Sequence, residues 1–377
     1  MKTIRIFGTR GLILAAALGV SVGFMSPVFA YTSVIVNPDG KVTYLGSLGG
    51  PNTSATDIND SGQVVGESNP TPRGDFSHAF ITGPNGVGMT DLGTLGGRFS
   101  SATSINDAGQ VVGSSRTTDD SDHAFITGSN GVGMTDLGTL GGASSQAYDI
   151  NDSGQVVGYS HPPGNASIHA FITGPDGVGM TDLGTLGGAG SLAHGINDAG
   201  RVVGSSETTA GVPRAFITGP NGMGMTDLGT LGGASSQAYD INDSGQVVGI
   251  SQTADGSQHA FITGPNGTGM TDLGGVLSYP TGINDSGQVI GAFFATFSSG
   301  FSFITGPYGM GMIDVNSYAD LPDRIFLLGA NGINNLGQIV VTIIPEPASY
   351  ALMLAGLGLV GFMARRKRVS VLNRCRQ

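Results

Sequence analysis

From residue 44 to residue 344 the apolar positions fall in short runs that return at a fixed spacing. An Ile-Asn pair recurs at Ile58, Ile105, Ile150, Ile196, Ile241, Ile283 and Ile333, at intervals of 47, 45, 46, 45, 42 and 50 residues. An aromatic anchor recurs with it at Phe80, Phe125, Phe171, Phe216, Phe261 and Phe303. Within one unit the pattern predicts four short strands, over 147–151, 154–160, 169–174 and 179–186. Val156-Val157, Ala170-Phe171-Ile172 and Met180 with Leu183 supply the β-branched and apolar side chains that pleated, two-sided packing favours. Asn151-Asp152-Ser153-Gly154 and Gly174-Pro175-Asp176-Gly177 predict the turns, because Asn and Asp tolerate turn geometry and Gly supplies a positive φ.

Self-similarity at this period means one supersecondary unit copied along the chain, each copy unable to bury its apolar face alone. Four antiparallel strands in about 45 residues predict a β-propeller blade. A linear β-solenoid is the alternative. The last unit distinguishes them: it has the Ile333-Asn334 hairpin but neither of the strands that follow it elsewhere, and residues 33–50 copy those missing strands. The expectation is an all-β, seven-bladed ring over residues 31–344, closed by its N-terminal strands.

Glycine is the compositional outlier, at 66 residues, and it sits at fixed repeat positions without the every-third-residue rule of collagen. The single cysteine, Cys375, excludes disulfides within the fold. The formal net charge of −11 conceals an asymmetry: between residues 31 and 344 only seven basic residues face 26 acidic ones. Nucleic acids and anionic lipids need clustered Lys and Arg, so this surface disfavours both.

Residues 1–30 carry three basic residues, an apolar run over 11–22 and small or branched residues at Val28 and Ala30, a secretory signal with cleavage by signal peptidase between Ala30 and Tyr31. At the other end, residues 345–377 join Pro345-Glu346-Pro347 to an apolar run over 348–364 and a basic cluster, Arg365, Arg366, Lys367 and Arg368. Such a run predicts a single transmembrane helix with its basic end cytoplasmic. This tripartite tail resembles the PEP-CTERM sorting signal. The resemblance implies handling by an exosortase and transient anchoring in the inner membrane of a Gram-negative-type bacterium, then delivery to the cell surface or exopolysaccharide matrix. The repeats, over roughly 44–340, resemble the extracellular HAF family, named for the His-Ala-Phe at His78, His123, His169 and His259. They depart from it at Arg214-Ala-Phe and Phe301-Ser-Phe. That family implies no defined activity.

The recurrent histidines could serve as ligands or bases, but each occupies the same place in a different unit. A structural role within its own blade is expected. Asp57-Ile-Asn59-Asp-Ser61-Gly62 resembles the first half of a calcium loop, and Asp149 with Asn151 and Asp240 with Asn242 repeat it. The twelfth-position Glu is missing, and Ser104, Gly195, Gly282 and Gly332 replace the first ligand elsewhere, so hairpin turns without metal are the expectation. No cofactor is expected. The loops between second and third strands vary most, as binding loops on a rigid scaffold do and as exposed turns under neutral drift also do. The function expected is a non-enzymatic structural or glycan/protein-binding module. The alternative is an extracellular glycan hydrolase or lyase, which should break the repeat symmetry by gathering unlike polar residues at one mouth. The only divergence apparent along the chain is in residues 264–344, with Phe293, Phe294, Phe297, Tyr308 and Tyr318.

Overall fold

The computed structural model describes residues 32–345, apart from 166, 275–277, 297–298 and 322–324. The signal segment, with Ala30 and Tyr31, and the tail from Glu346 onward, with the expected transmembrane helix, lie outside the described residues. Among the described residues no helix is long and apolar enough to cross a membrane.

Seven four-stranded antiparallel sheets succeed one another along the chain. Blade three is representative: Ser145–Ile150, Val156–Ser160, His169–Thr173 and Met180–Asp182, from the axis outward. The Asn-Asp-Ser-Gly turn joins its first two strands, with Gly154 at φ 74°, and a single turn of 3-10 helix, Pro175–Gly177, joins its last two. The fourth strand is shorter than the apolar pattern predicts. Asp182 accepts the N–H of Gly184 and turns the chain there, so the glycine-rich stretch after it crosses to the next blade instead of extending the strand.

The core lies between blades. Val65, Ala79 and Ile81 of blade one pack against Ala102, Ile105, Val111 and Phe125 of blade two, and this cluster is repeated around the ring. The doublet Val64-Val65 follows directly. Successive strand residues point to opposite faces, Val64 into the interface behind and Val65 into the one ahead, and both faces are dry.

Blade seven combines the two ends of the chain. Ile325–Ile333 and Ile339–Pro345 form its inner strands, and Thr32–Val36 and Val42–Tyr44 complete it. Val34 lies opposite Val341 and Ile35 opposite Val340, and Val34, Ile35 and Val36 are fully buried. The fold is the closed seven-bladed ring, and a solenoid is excluded.

Each inner strand carries a β-bulge one residue before the axial Asp position: between Ala55 and Asp57, Ala147 and Asp149, Ala238 and Asp240, and at the equivalent places in the other four blades. A bulge re-aims side chains. Here it turns two consecutive residues per blade toward the axis, Thr56 as well as Asp57 in blade one. The carbonyl just ahead of the bulged segment needs room on the second strand, where a Cβ at Gly113 would lie 2.0 Å from the Ser101 oxygen.

Candidate functional site

The axial channel is built in three layers. The first, on the face where the inner strands end, consists of the Ile-Asn-Asp turns. Asn59 Nδ2 donates to the Asn106 carbonyl of the next blade, and the same bond passes through Asn151, Asn197, Asn242, Asn284 and Asn334 back to Asn59, at 3.0–3.1 Å. A second ring runs alongside it, in which the N–H of each following residue donates to the carboxylate or amide one blade on, from Asp60 to Asp107 and round to Asn335, at 2.8–3.0 Å. Burial, with the neighbouring carboxylates of the ring, pushes Asp107 and Asp243 above the usual carboxylate range.

The second layer holds Asp57, Asp149 and Asp240 around a cavity of about 130 Å³. Each aspartate accepts the N–H of its own Ile and reaches across to the next blade: Asp57 Oδ2 takes the Ile105 N–H at 3.1 Å, Asp149 Oδ2 that of Ile196 and Asp240 Oδ2 that of Ile283, both at 2.8 Å. Each aspartate also needs a small residue on the blade behind it. A Cβ on Gly332 would lie 2.8 Å from Asp57 Oδ1, and one on Gly195 3.3 Å from Asp240 Oδ1. The succession Asp57, Ser104, Asp149, Gly195, Asp240, Gly282, Gly332 is thus an alternation of large and small around a ring of seven, in which two small residues must meet.

Ser104 Oγ lies 2.9 Å from Asp57 Oδ2 and 2.7 Å from Asp149 Oδ1. A hydroxyl carries one proton and cannot donate to both. Both contacts are satisfied if one carboxyl keeps its own proton and donates it to the serine oxygen. Burial first, and the Asp149 charge second, push Asp57 up to about 7, and burial raises Asp149 and Asp240 as well.

The third layer opens on the other face, toward which the variable loops between second and third strands also project. In blades one, two, six and seven its residue staples the blade to the next. Thr56, Thr103 and Thr281 donate their hydroxyls to the carbonyls of Ala102, Ala147 and Ala330, and Asn331 donates to that of Ala55, at 2.6–3.1 Å. Blades three, four and five place Tyr148, His194 and Tyr239 there instead. His194 stacks on Tyr148 at 5.3 Å and 28° and meets Tyr239 edge-on at 5.7 Å. Tyr159 and His161 continue the aromatic arc from Tyr148 into the variable loop of blade three. The mouth lined by Tyr148, His194 and Tyr239, with Tyr279 of blade six, encloses about 420 Å³. Tyr239 donates its hydroxyl to Gln237, whereas the Tyr148 hydroxyl and both His194 ring nitrogens make no hydrogen bond among the described residues. Burial lowers His194 to about 4 and raises Tyr148 and Tyr239 to about 12, so all three are neutral at physiological pH.

This arc is the break in symmetry that the chain was not expected to show outside residues 264–344. Its signal was present at the position preceding the axial aspartates, which reads Thr, Thr, Tyr, His, Tyr, Thr, Asn around the ring. The other candidate residues stand apart from it. His78, His123, His169 and His259 each pair through Nδ1 with an aspartate thirteen residues on, at 2.7–2.9 Å, on the outer strands of separate blades. Arg214 replaces this pair with Asp227 at 3.6 Å. Asn59, Asn151 and Asn242 spend their Oδ1 atoms on the backbone N–H of Gln63, Gln155 and Gln246. Among the described residues no three His, Cys, Asp or Glu side chains are grouped so as to hold a metal ion.

Residues 344–368 match the PEP-CTERM protein-sorting motif. The chain is therefore an exported, membrane-anchored protein processed by an exosortase, and it carries a propeller as its body. No curated protein matches the sequence. Among solved structures it is similar to a TolB-like protein from Agrobacterium tumefaciens, at 9% identity and a TM-score of 0.50, over 84% of this chain and 99% of that one. It is also similar to the β-propeller domain of the Trilobed protease from Pyrococcus furiosus, described as an open-velcro propeller, at 10% identity and a TM-score of 0.52, over 74% and 86% of the two chains. At these identities the likeness is one of fold alone.

Proposed function

We propose that the protein is a non-enzymatic binding module of the cell surface or exopolysaccharide matrix, which takes a glycan or protein ligand at the aromatic end of its axial channel. One observation carries this reading: three consecutive blades give up a staple to the next blade in favour of Tyr148, His194 and Tyr239. Each such bond contributes about 0.5–1.5 kcal/mol. Stability forgone at one place in a regular array is expected where function is built. The resemblance of the repeats to the HAF family, and the acidic surface with few basic residues, agree with an extracellular role away from nucleic acid.

The alternative, a glycan hydrolase or lyase, would need carboxyl groups free to act on a bound chain. The axial aspartates lie a layer beneath the mouth, occupied by backbone amides and by Ser104, around a cavity that would hold about four waters. This favours binding over turnover. The test is a glycan array and a pull-down from isolated matrix with the exported protein, set beside a Tyr148→Thr, His194→Thr, Tyr239→Thr variant. That variant restores the residue that staples blades one, two and six, so it should fold at least as stably and lose the ligand. Retained binding refutes the mouth as the site. A ligand recovered shortened by mass spectrometry refutes the non-enzymatic reading.

A further inference from the structure

We propose that the ligand taken at this mouth is an uncharged saccharide, held with a pyranose ring against Tyr148, His194 and Tyr239. This rests on the reading of the mouth as the binding site and names the chemistry it selects. A pyranose presents C–H groups on its faces and hydroxyls at its edge. It therefore needs a ring surface to lie on and a few donors and acceptors at the margin. The arc supplies both: His194 stacks flat on Tyr148 while Tyr239 stands across it, giving two ring orientations within one pocket.

The polar atoms are allotted in the same sense. Thr56, Thr103 and Thr281 spend their hydroxyls on carbonyls of the next blade, and Tyr239 spends its hydroxyl on Gln237. Among the described residues the Tyr148 hydroxyl and the His194 nitrogens are left unspent, on side chains that are half-buried. A neutral imidazole offers one donor and one acceptor, and the phenol offers one of each, which suits alcohol groups and gives a carboxylate or phosphate no cationic partner.

Charge excludes the anionic polysaccharides. Among the described residues no lysine or arginine lines the mouth, the three aspartates lie directly beneath it, and the surrounding surface is strongly acidic. A uronate brought there would meet like charge with nothing to offset it. The volume of about 420 Å³ lies within the range of small-molecule pockets and suits a short segment or chain end.

The chain has no tryptophan and nine tyrosines, of which Tyr148, Tyr239 and Tyr279 line the mouth, so intrinsic tyrosine emission should respond to a ligand there. The exported protein is titrated with cellohexaose, xylohexaose and maltohexaose, and with trigalacturonate at matched ionic strength, by emission and by calorimetry. At least one neutral oligosaccharide should bind, with trigalacturonate at least tenfold weaker. Tyr148→Phe, which keeps the ring, should weaken binding a few-fold, and the triple threonine variant should abolish it while its melting curve is unchanged or improved. Failure of all three neutral probes overturns the proposal. Tighter binding of trigalacturonate that the triple variant abolishes overturns the choice of an uncharged saccharide and leaves the mouth as the site. Neutral binding that the triple variant leaves intact overturns both.

Discussion

Replacing Asp57 with Asn tests the shared proton in the axial layer. Wild-type Asp57 titrates near 7 in the fold against an unfolded value of 3.8, because burial and the Asp149 charge disfavour its ionised form. A raised carboxyl pKa contributes stability that is complete below the unfolded value and is lost as pH rises through the folded one. Three units at 1.36 kcal/mol each make that loss about 4 kcal/mol between pH 4 and pH 8. His194 works in the opposite direction, since its value near 4 costs stability as pH falls below 6.5, so the wild-type profile alone cannot separate the two. The difference between Asp57→Asn and wild type can, because the histidine is common to both. Asparagine is uncharged at every pH, but its amide nitrogen faces a backbone N–H that the carboxyl accepted, from Ile58 or Ile105, at a cost of about 1 kcal/mol. The variant should be less stable than wild type by about 1 kcal/mol at pH 4 and more stable by about 3 kcal/mol at pH 8, with the curves crossing between. Denaturant unfolding at half-unit pH steps measures this. A difference that does not change with pH would show that Ser104 bridges two ionised carboxylates and would refute the proton accounting.

The ring closure, the outer histidines and the tail give three further expectations. Deleting residues 31–50 removes Val34, Ile35 and Val36 from a dry interface, worth about 1.5–3 kcal/mol per side chain, and should aggregate the protein. Moving those residues to follow Ile344 should restore melting and solubility, and a deletion that melts like the intact chain refutes closure. His169→Ala should cost only about 0.2–1 kcal/mol, because its bond to Asp182 is partly exposed, whereas Asp182→Ala, which also frees the Gly184 N–H, should cost more in the same unfolding assay. Mass spectrometry of the extracellular form should place its C-terminus near Pro347, and peptides covering Arg374–Gln377 in that form would count against processing.

The propeller was legible because every blade repeats the same instruction: a period near 45, turn residues at fixed offsets, and a final unit whose missing strands stand at residues 33–50. The candidate site was harder to read because its geometry depends on the bulge. Strict alternation along an inner strand sends Thr56 and Asp57 to opposite faces, and only the extra residue brings both to the axis. The exchange of Asp57 for Ser104, Gly195, Gly282 and Gly332 then reads as the loss of a ligand, when it reflects crowding between adjacent blades. Tyr148, His194 and Tyr239 each look like ordinary repeat variation. Their significance comes from adjacency around a ring, which a linear reading does not display.

The seam between the first and last strands also sets how the anchored protein stands. Thr32 lies opposite Ile343, and Pro345 ends its strand on the face where the aromatic mouth opens. Only Glu346 and Pro347 separate that strand from the apolar run beginning at Ala348. With two intervening residues, the end of the strand and the start of the apolar run can lie at most about 10 Å apart. On the proposed reading, an attached tail would hold the mouth face close to the bilayer and restrict the approach of a polymer to it. On that reading, cutting the tether would free this face, so that release and readiness to bind would arrive in the same event.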